Sequence, residues 1–196
     1  MLNEKIKKYH IILASGSPRR QQFFKELGLE FEVKLKPVKE EFPNRLNHFE
    51  ISDYLAQLKA LPFKDELKEN DILITSDTIV WHDNKALGKP INEQDAFNML
   101  KSLSNSTHDV ITSVCFTTKA LQKTVNAITK VTFKNLEDEE IQYYIKTCKP
   151  FDKAGSYGIQ EWIGQIGITK IEGSYFNVVG LPTHLVYNTL NSLISS

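Results

Sequence analysis

Apolar and polar positions change period repeatedly along the chain. Residues 9–14, YHIILA, form an apolar run that breaks at SGSP (15–18), after which Phe23, Phe24 and Leu27 supply an apolar stripe. This is the pattern of a strand, a loop and a helix, with Ser17 as N-cap, Pro18 at the first helical position and Gly28 as the stop. FEVKL (31–35) alternates like a half-buried strand, and the polar, proline-bearing stretch 37–47 reads as a loop. Ile51, Tyr54, Leu55 and Leu58 recur at helical spacing and predict a helix over 50–60 with Lys59 near its end. DILIT (71–75) is an apolar strand expected to stop at Ser76-Asp77-Thr78 and to resume over 79–81, followed by a turn at HDNK (82–85) and a loop through ALGKP (86–90). Ala96, Met99, Leu100 and Leu103 predict a helix over 93–103. Segments 110–118 and 128–133 read as an antiparallel pair, 138–146 as a helix and 183–193 as a closing helix. Strands that alternate with helices around a central hairpin predict an α/β fold with a mixed sheet and flanking helices.

The length suits one domain over residues 1–196. Lys+Arg and Asp+Glu both number 24, so there is no general basic field for nucleic acid or an anionic membrane, and any anion site must be local. No apolar run is long enough for a membrane span, and MLNEKIKKYH lacks the apolar stretch of a signal peptide, so a cytoplasmic location is expected. Cys115 and Cys148 lie far apart, outside any zinc-type spacing, and read as structural. There is no P-loop, no GxGxxG, and no HExxH or Ser/His/Asp pattern among the five histidines.

Against this neutral background Arg19 and Arg20 are conspicuous, because they fall in the first helical turn, where the dipole is positive and Asp or Glu is usual. A polyphosphate at that terminus would reverse the penalty, with Gly16 allowing close backbone approach, Ser15 and Ser17 offering hydroxyls and guanidinium forks matching phosphate oxygens. Solvated surface charge is the alternative. Asp77, after a buried strand, could activate water or hold a divalent ion at the sheet's carboxyl edge, or could simply cap a turn. Lys89 in GKP would be held in a stiff loop by Pro90 but alone reads as a surface lysine, as does Lys59, and Glu40 and Glu41 read as a metal ligand or a hydrated acidic pair.

These residues resemble the Maf family of nucleoside triphosphate pyrophosphatases across nearly the whole chain: LASGSPRR (13–20), LGLEFEV (27–33), LAQLKA (55–60), SDTIV (76–80), GKP (88–90), LKSLSNSTHDV (100–110), DKAGSYGIQ (152–160) and GSYFNVVGLP (173–182). The resemblance implies a fold related to the inosine triphosphatase group, with two lobes around a cleft, and hydrolysis of a nucleoside triphosphate to monophosphate and pyrophosphate with Mg²⁺ or Mn²⁺. It implies Asp77 as proton acceptor, Ser15, Arg20, Lys59 and Lys89 as phosphate contacts, and Glu40 as metal ligand. Arg19, Thr78 and Gln160 resemble the dTTP/UTP branch; a glutamine amide can pair with the donor and acceptor edge of thymine or uracil. The branch that prefers 7-methylguanosine triphosphate tends to carry an aromatic residue where Arg19 stands. Lys39, Ser76 and Asn105 depart from the family's frequent Asp, Ala and Gly. A homodimer is the family's suggestion. The rival readings are a house-cleaning pyrophosphatase for modified or other nucleotides and a nucleotide-binding cell-division regulator.

Overall fold

The computed structural model describes residues 2–195, which divide into two compact units: residues 2–77, 112–127 and 180–195 in the first, and residues 78–111 and 128–179 in the second. After a short helix α1 (Leu2–Lys5) and a 3-10 turn, the first unit opens with strand β1 (His10–Leu13) and helix α2 (Pro18–Glu26). Ser17 caps α2 in extended backbone (φ −70°, ψ 116°), Pro18 stands at its start, and Phe23 and Phe24 are its buried side chains. Gly28 at φ 68° takes the left-handed turn that ends the segment, a conformation glycine adopts without a Cβ penalty. The chain continues through β2 (Glu32–Val33), a long loop, α3 (Phe49–Ala60) and a 3-10 segment over Leu61–Glu66 to β3 (Asp71–His82).

β1 pairs in parallel with both β2 and β3, aligning Leu13 with Val33 and with Ile74. Such pairing needs crossovers, and α2 and α3 supply them. α3 buries Ile51, Ser52, Leu55, Ala56 and Ala60. One core cluster gathers Ala56, Ala60, Phe63 and Leu67 with Ile12, Leu73 and Cys115. The small residues let the helix lie close to the strands.

In the second unit β3 continues unbroken past Ser76-Asp77-Thr78, where the sequence pattern predicts a stop. A polar triplet is local punctuation, yet Thr75, Ser76 and Asp77 are all buried and the ladder carries them onward. β4 (Lys85–Leu87), where the sequence pattern predicts only the end of a turn and the approach to a loop, folds back antiparallel on β3, with Val80 opposite Leu87. The turn between them has Asp83 at φ 48° and Asn84 at φ 57°, the backbone of a tight hairpin turn at residue types that tolerate it. α4 (Glu93–Leu103) follows, capped by Asn92 accepting from Asp95 N at 2.8 Å. Then come β5 (Thr107–Thr117), β6 (Gln122–Phe133) and α5 (Asp138–Cys148). β6 begins six residues before the expected Ile128; its early residues are mostly polar and show no alternation to read. α6 (Trp162–Gly167), β7 (Ile168–Glu172), α7 (Tyr175–Val179) and α8 (Thr183–Leu193) complete the chain. The sheet has hydrogen-bonded order β2-β1-β3-β5-β6-β7, with β4 on β3. The fold is therefore α/β with a mixed sheet, and no helix among the described residues is long and apolar enough to cross a membrane.

Within the second unit His108 is 2% exposed, hydrogen-bonded through Nε2 to the Tyr157 hydroxyl at 2.7 Å and stacked on Phe133. Burial, with His82 nearby, pushes its pKa down to about 3. The native state thus holds His108 neutral while the unfolded chain protonates it near 6.5, so its contribution to stability is complete above pH 6.5 and drains as pH falls toward 3, at about 1.4 kcal/mol per pH unit. Urea unfolding of wild type and His108→Gln at pH 7.5 and pH 5 should show the wild-type advantage shrinking by about 2 kcal/mol at the lower pH.

Candidate active site

The carboxyl edge of the parallel strands gathers the first unit's polar groups. β1 ends at Leu13, and Ala14 N donates to Ile74 O at 2.9 Å, so the turn Ser15-Gly16-Ser17 runs beside the stretch of β3 that carries Ser76 and Asp77. Ligands bind at this edge in open α/β sheets. The turn is braced internally: Ser17 N donates to Ser15 Oγ at 3.3 Å, and Gln21 Nε2 donates to Ser15 O at 3.1 Å. Ser15 is buried. The turn presents the N-terminus of α2, whose unsatisfied N–H groups favour an anion.

Arg20 answers the puzzle of the first-turn arginines in a way its position alone did not show. Its Nε donates to Gly180 O and its Nη1 to Ser76 O, both at 2.9 Å. The guanidinium ties the peptide just before Asp77 to the segment that enters α8. Burial lowers its pKa, the Asp77 carboxylate opposes that shift, and the neighbouring Arg19 cation adds to it. A guanidinium stays charged through such a change. Arg20 therefore brings positive charge to the edge while its fork serves the backbone.

Asp77 lies at the centre of the edge. Lys59 Nζ, from the last turn of α3, reaches Asp77 Oδ1 at 2.6 Å and Glu40 Oε1 at 3.2 Å. The Lys59 and Asp77 side chains are 19% and 9% exposed, so bulk solvent screens this pair less than a surface pair; the Glu40 side chain, at 49%, is far more open. Lys39 turns to Glu41 at 2.7 Å and is solvent-exposed, so this departure from the family pattern leaves Glu40 on Lys59.

The structure thus brings Arg20, Glu40, Lys59 and Asp77 together in the first unit, with Ser15 in the adjoining turn. Lys89, Thr78 and Gln160 belong to the second unit. Lys89 and Gln160 are exposed and Thr78 is partly buried. The Gly88-Lys89-Pro90 loop is anchored by Gly155 N donating to Gly88 O at 3.0 Å. Gly155 sits at φ 68°, and a Cβ there would come within 2.8 Å of Val80 Cγ2, so a side chain would be strained twice over. Gln160 follows Gly158, whose N–H donates to the Tyr144 hydroxyl at 3.0 Å. Tyr144 in turn donates to Glu161, and burial together with that carboxylate pushes the phenol pKa up.

Asn105, where glycine is frequent in the family, takes φ 53°, a left-handed conformation that asparagine tolerates. Ser76, where alanine is frequent, is buried, and its Oγ has no hydrogen-bond partner among the described residues. Three contributors carry no motif in the sequence: Gln21 as brace, the Gly180 carbonyl, and Thr75. Only Thr75 leaves a trace, as a hydroxyl directly after the apolar run Ile72–Ile74.

Comparison with known proteins gives a consistent result. A family described as Maf-like protein matches residues 10–193. The chain is 63% identical over 194 residues to a protein of Flavobacterium johnsoniae named dTTP/UTP pyrophosphatase, covering 99% of this chain and 100% of the relative. It is 57% identical over 196 residues to a protein of the same name from Christiangramia forsetii, covering 100% of both. Among solved structures, the Ham1 protein of Staphylococcus aureus shares the fold at 15% identity, with a TM-score of 0.54 over 94% of this chain and 99% of that one.

Proposed function

The chain belongs to the Maf-like protein family, and on that premise we propose that it is a nucleoside triphosphate pyrophosphatase that hydrolyses dTTP and UTP to the monophosphate and pyrophosphate. Full-length relatives at 57% and 63% identity carry that name. The observation that carries the chemistry is the Asp77–Lys59 pair at 2.6 Å, set beside the α2 N-terminus with Glu40 behind the lysine.

Water attacks the α-phosphorus, the bond to the bridging α–β oxygen breaks, pyrophosphate departs with that oxygen, and the water's proton passes to Asp77. Lys59 holds Asp77 Oδ1 and so fixes the carboxylate; Oδ2 is the oxygen assigned to the water. A bound triphosphate carries about four negative charges, which repel the nucleophile, so the site must supply cations aimed at the charge that develops in the transition state. Ser15, the charge of Arg20, Lys59 and Lys89 are assigned to the phosphates, and Arg19, Thr78 and Gln160 to base preference.

The donor set fits a hard divalent ion. Glu40 presents a half-exposed carboxylate beside the Asp77–Lys59 pair, and Mg²⁺ is commonly held by one or two carboxylates plus substrate phosphates. Glu40 would hold Mg²⁺ or Mn²⁺ together with substrate phosphates, and the ion would supply charge neutralisation and Lewis acidity there. Cys115 and Cys148 are both free thiols, which is in keeping with a cytoplasmic location. A homodimer is part of the same proposal, testable by sedimentation.

A panel of canonical and modified nucleoside triphosphates, assayed with Mg²⁺ or Mn²⁺ and with pyrophosphate distinguished from orthophosphate, tests the reading. dTTP and UTP should lead the panel and yield pyrophosphate. Release of orthophosphate, or preference for a modified purine triphosphate, would overturn it, and tight binding without product would point to a regulator.

A further inference from the structure

We propose that Thr75 is a positioning residue for the Asp77–Lys59 pair, its hydroxyl fixing the register of α3 along β3. Side chains alternate along a strand, so Leu73, Thr75 and Asp77 share one face of β3. Each meets α3 differently. Leu73 packs in the apolar cluster with Ala56, Ala60 and Phe63. The Thr75 hydroxyl donates to the Ala56 carbonyl at 2.6 Å. Asp77 accepts from Lys59 at 2.6 Å. On the helix, Ala56, Lys59 and Ala60 lie three and four residues apart and therefore on one face.

Of these contacts, the apolar one is non-directional and leaves the helix free to slide. The hydroxyl-to-carbonyl bond does not, because a hydrogen bond weakens steeply with distance and angle. A slip by one residue, about 1.5 Å, would pull the contact between Lys59 Nζ and Asp77 Oδ1 out of its present geometry, and the flexible lysine stem could restore it only by leaving its present rotamer. α3 has no side-chain cap to hold its start, where His48 sits at φ 52°. It is held laterally instead. Near its beginning Ser52 meets Ser113 Oγ at 2.7 Å, Ser113 donates to Asp53 at 2.6 Å, and Asn126 Nδ2 donates to both Asp53 oxygens at 3.1 Å. Thr75 is the corresponding anchor at the end that carries Lys59. It is fully buried.

The kinetic part of the test rests on the function proposed above; the structural part does not. Thr75→Ser and Thr75→Ala both delete the methyl group and differ only in the hydroxyl. Steady-state kinetics with dTTP and Mg²⁺ should give Thr75→Ser a kcat within about threefold of wild type. Thr75→Ala should lose about 10–100-fold in kcat with KM little changed, the cost of a misplaced catalytic group. Crystal structures should show the Lys59–Asp77 contact kept in the serine variant and broken in the alanine variant. Thr75→Val, which fills the space without the hydroxyl, should follow alanine and replaces it if alanine does not fold. Equal kcat in the serine variant and a hydroxyl-free variant, with the pair still closed in both, would overturn the proposal whatever the melting temperatures. If wild type turns over no nucleoside triphosphate, the functional reading falls and the crystal structures alone decide the role of Thr75.

Discussion

Asp77→Asn is expected to lower kcat for dTTP and UTP by about 10²–10⁴-fold, the usual worth of a general base, with nucleotide affinity held within about an order of magnitude. Asparagine preserves the shape of the side chain and can still face Lys59, but its amide accepts a water proton far less readily than a carboxylate. Lys59 keeps Glu40 at 3.2 Å, so the lysine is not left without an anion and the α3 end should stay in place. The measurement is a pair: steady-state turnover with pyrophosphate detection, and calorimetric titration with an α,β-non-hydrolysable dTTP analogue. A large fall in kcat with retained binding assigns the proton transfer to Asp77. Near-normal turnover would place the base elsewhere. A loss of binding equal to the loss of turnover would make Asp77 an ion or phosphate anchor.

Arg20→Met is expected to be the most destabilising change at the site. The guanidinium is the donor to Ser76 O and Gly180 O, and a thioether donates to neither. A buried acceptor left without its donor costs about 1–3 kcal/mol, so two cost about 2–6 kcal/mol. In a chain of this length each kcal/mol moves the melting temperature by about 2–4 °C. Differential scanning calorimetry should therefore show a fall of about 5–20 °C. Arg20→Lys should recover little, because an ammonium on a flexible stem does not reproduce a planar fork that spans two carbonyls. A melting temperature within about 2 °C of wild type would show that the fork is dispensable and that Arg20 acts through charge alone.

These expectations also separate what could be read in the order of residues from what could not. Ser17, Pro18 and the Phe23–Phe24 stripe announced α2, and the helical spacing from Ile51 to Leu58 announced α3, because capping and periodicity act over a few residues. The same short range makes β3 look finished at Ser76-Asp77-Thr78: a polar triplet looks like an ending unless its neighbours in space are known. β7 gave no sign of itself, since four of its five residues are exposed and its pairing is with β6, which lies about forty residues earlier. Of the site, the motifs named Asp77, Lys59 and Glu40 but said nothing of their contacts.

The sequence by itself determined the α/β alternation, the helix start at Ser17 and the family to which the chain belongs, all carried by local patterns or by motifs in fixed order. Only the tertiary structure decided that Arg20 serves two carbonyls, one of them 160 residues away, and that a threonine hydroxyl inside β3 meets the Ala56 carbonyl of α3. Hydrogen bonds between distant segments depend on where packing brings the backbone, and no short-range pattern of residue types records that.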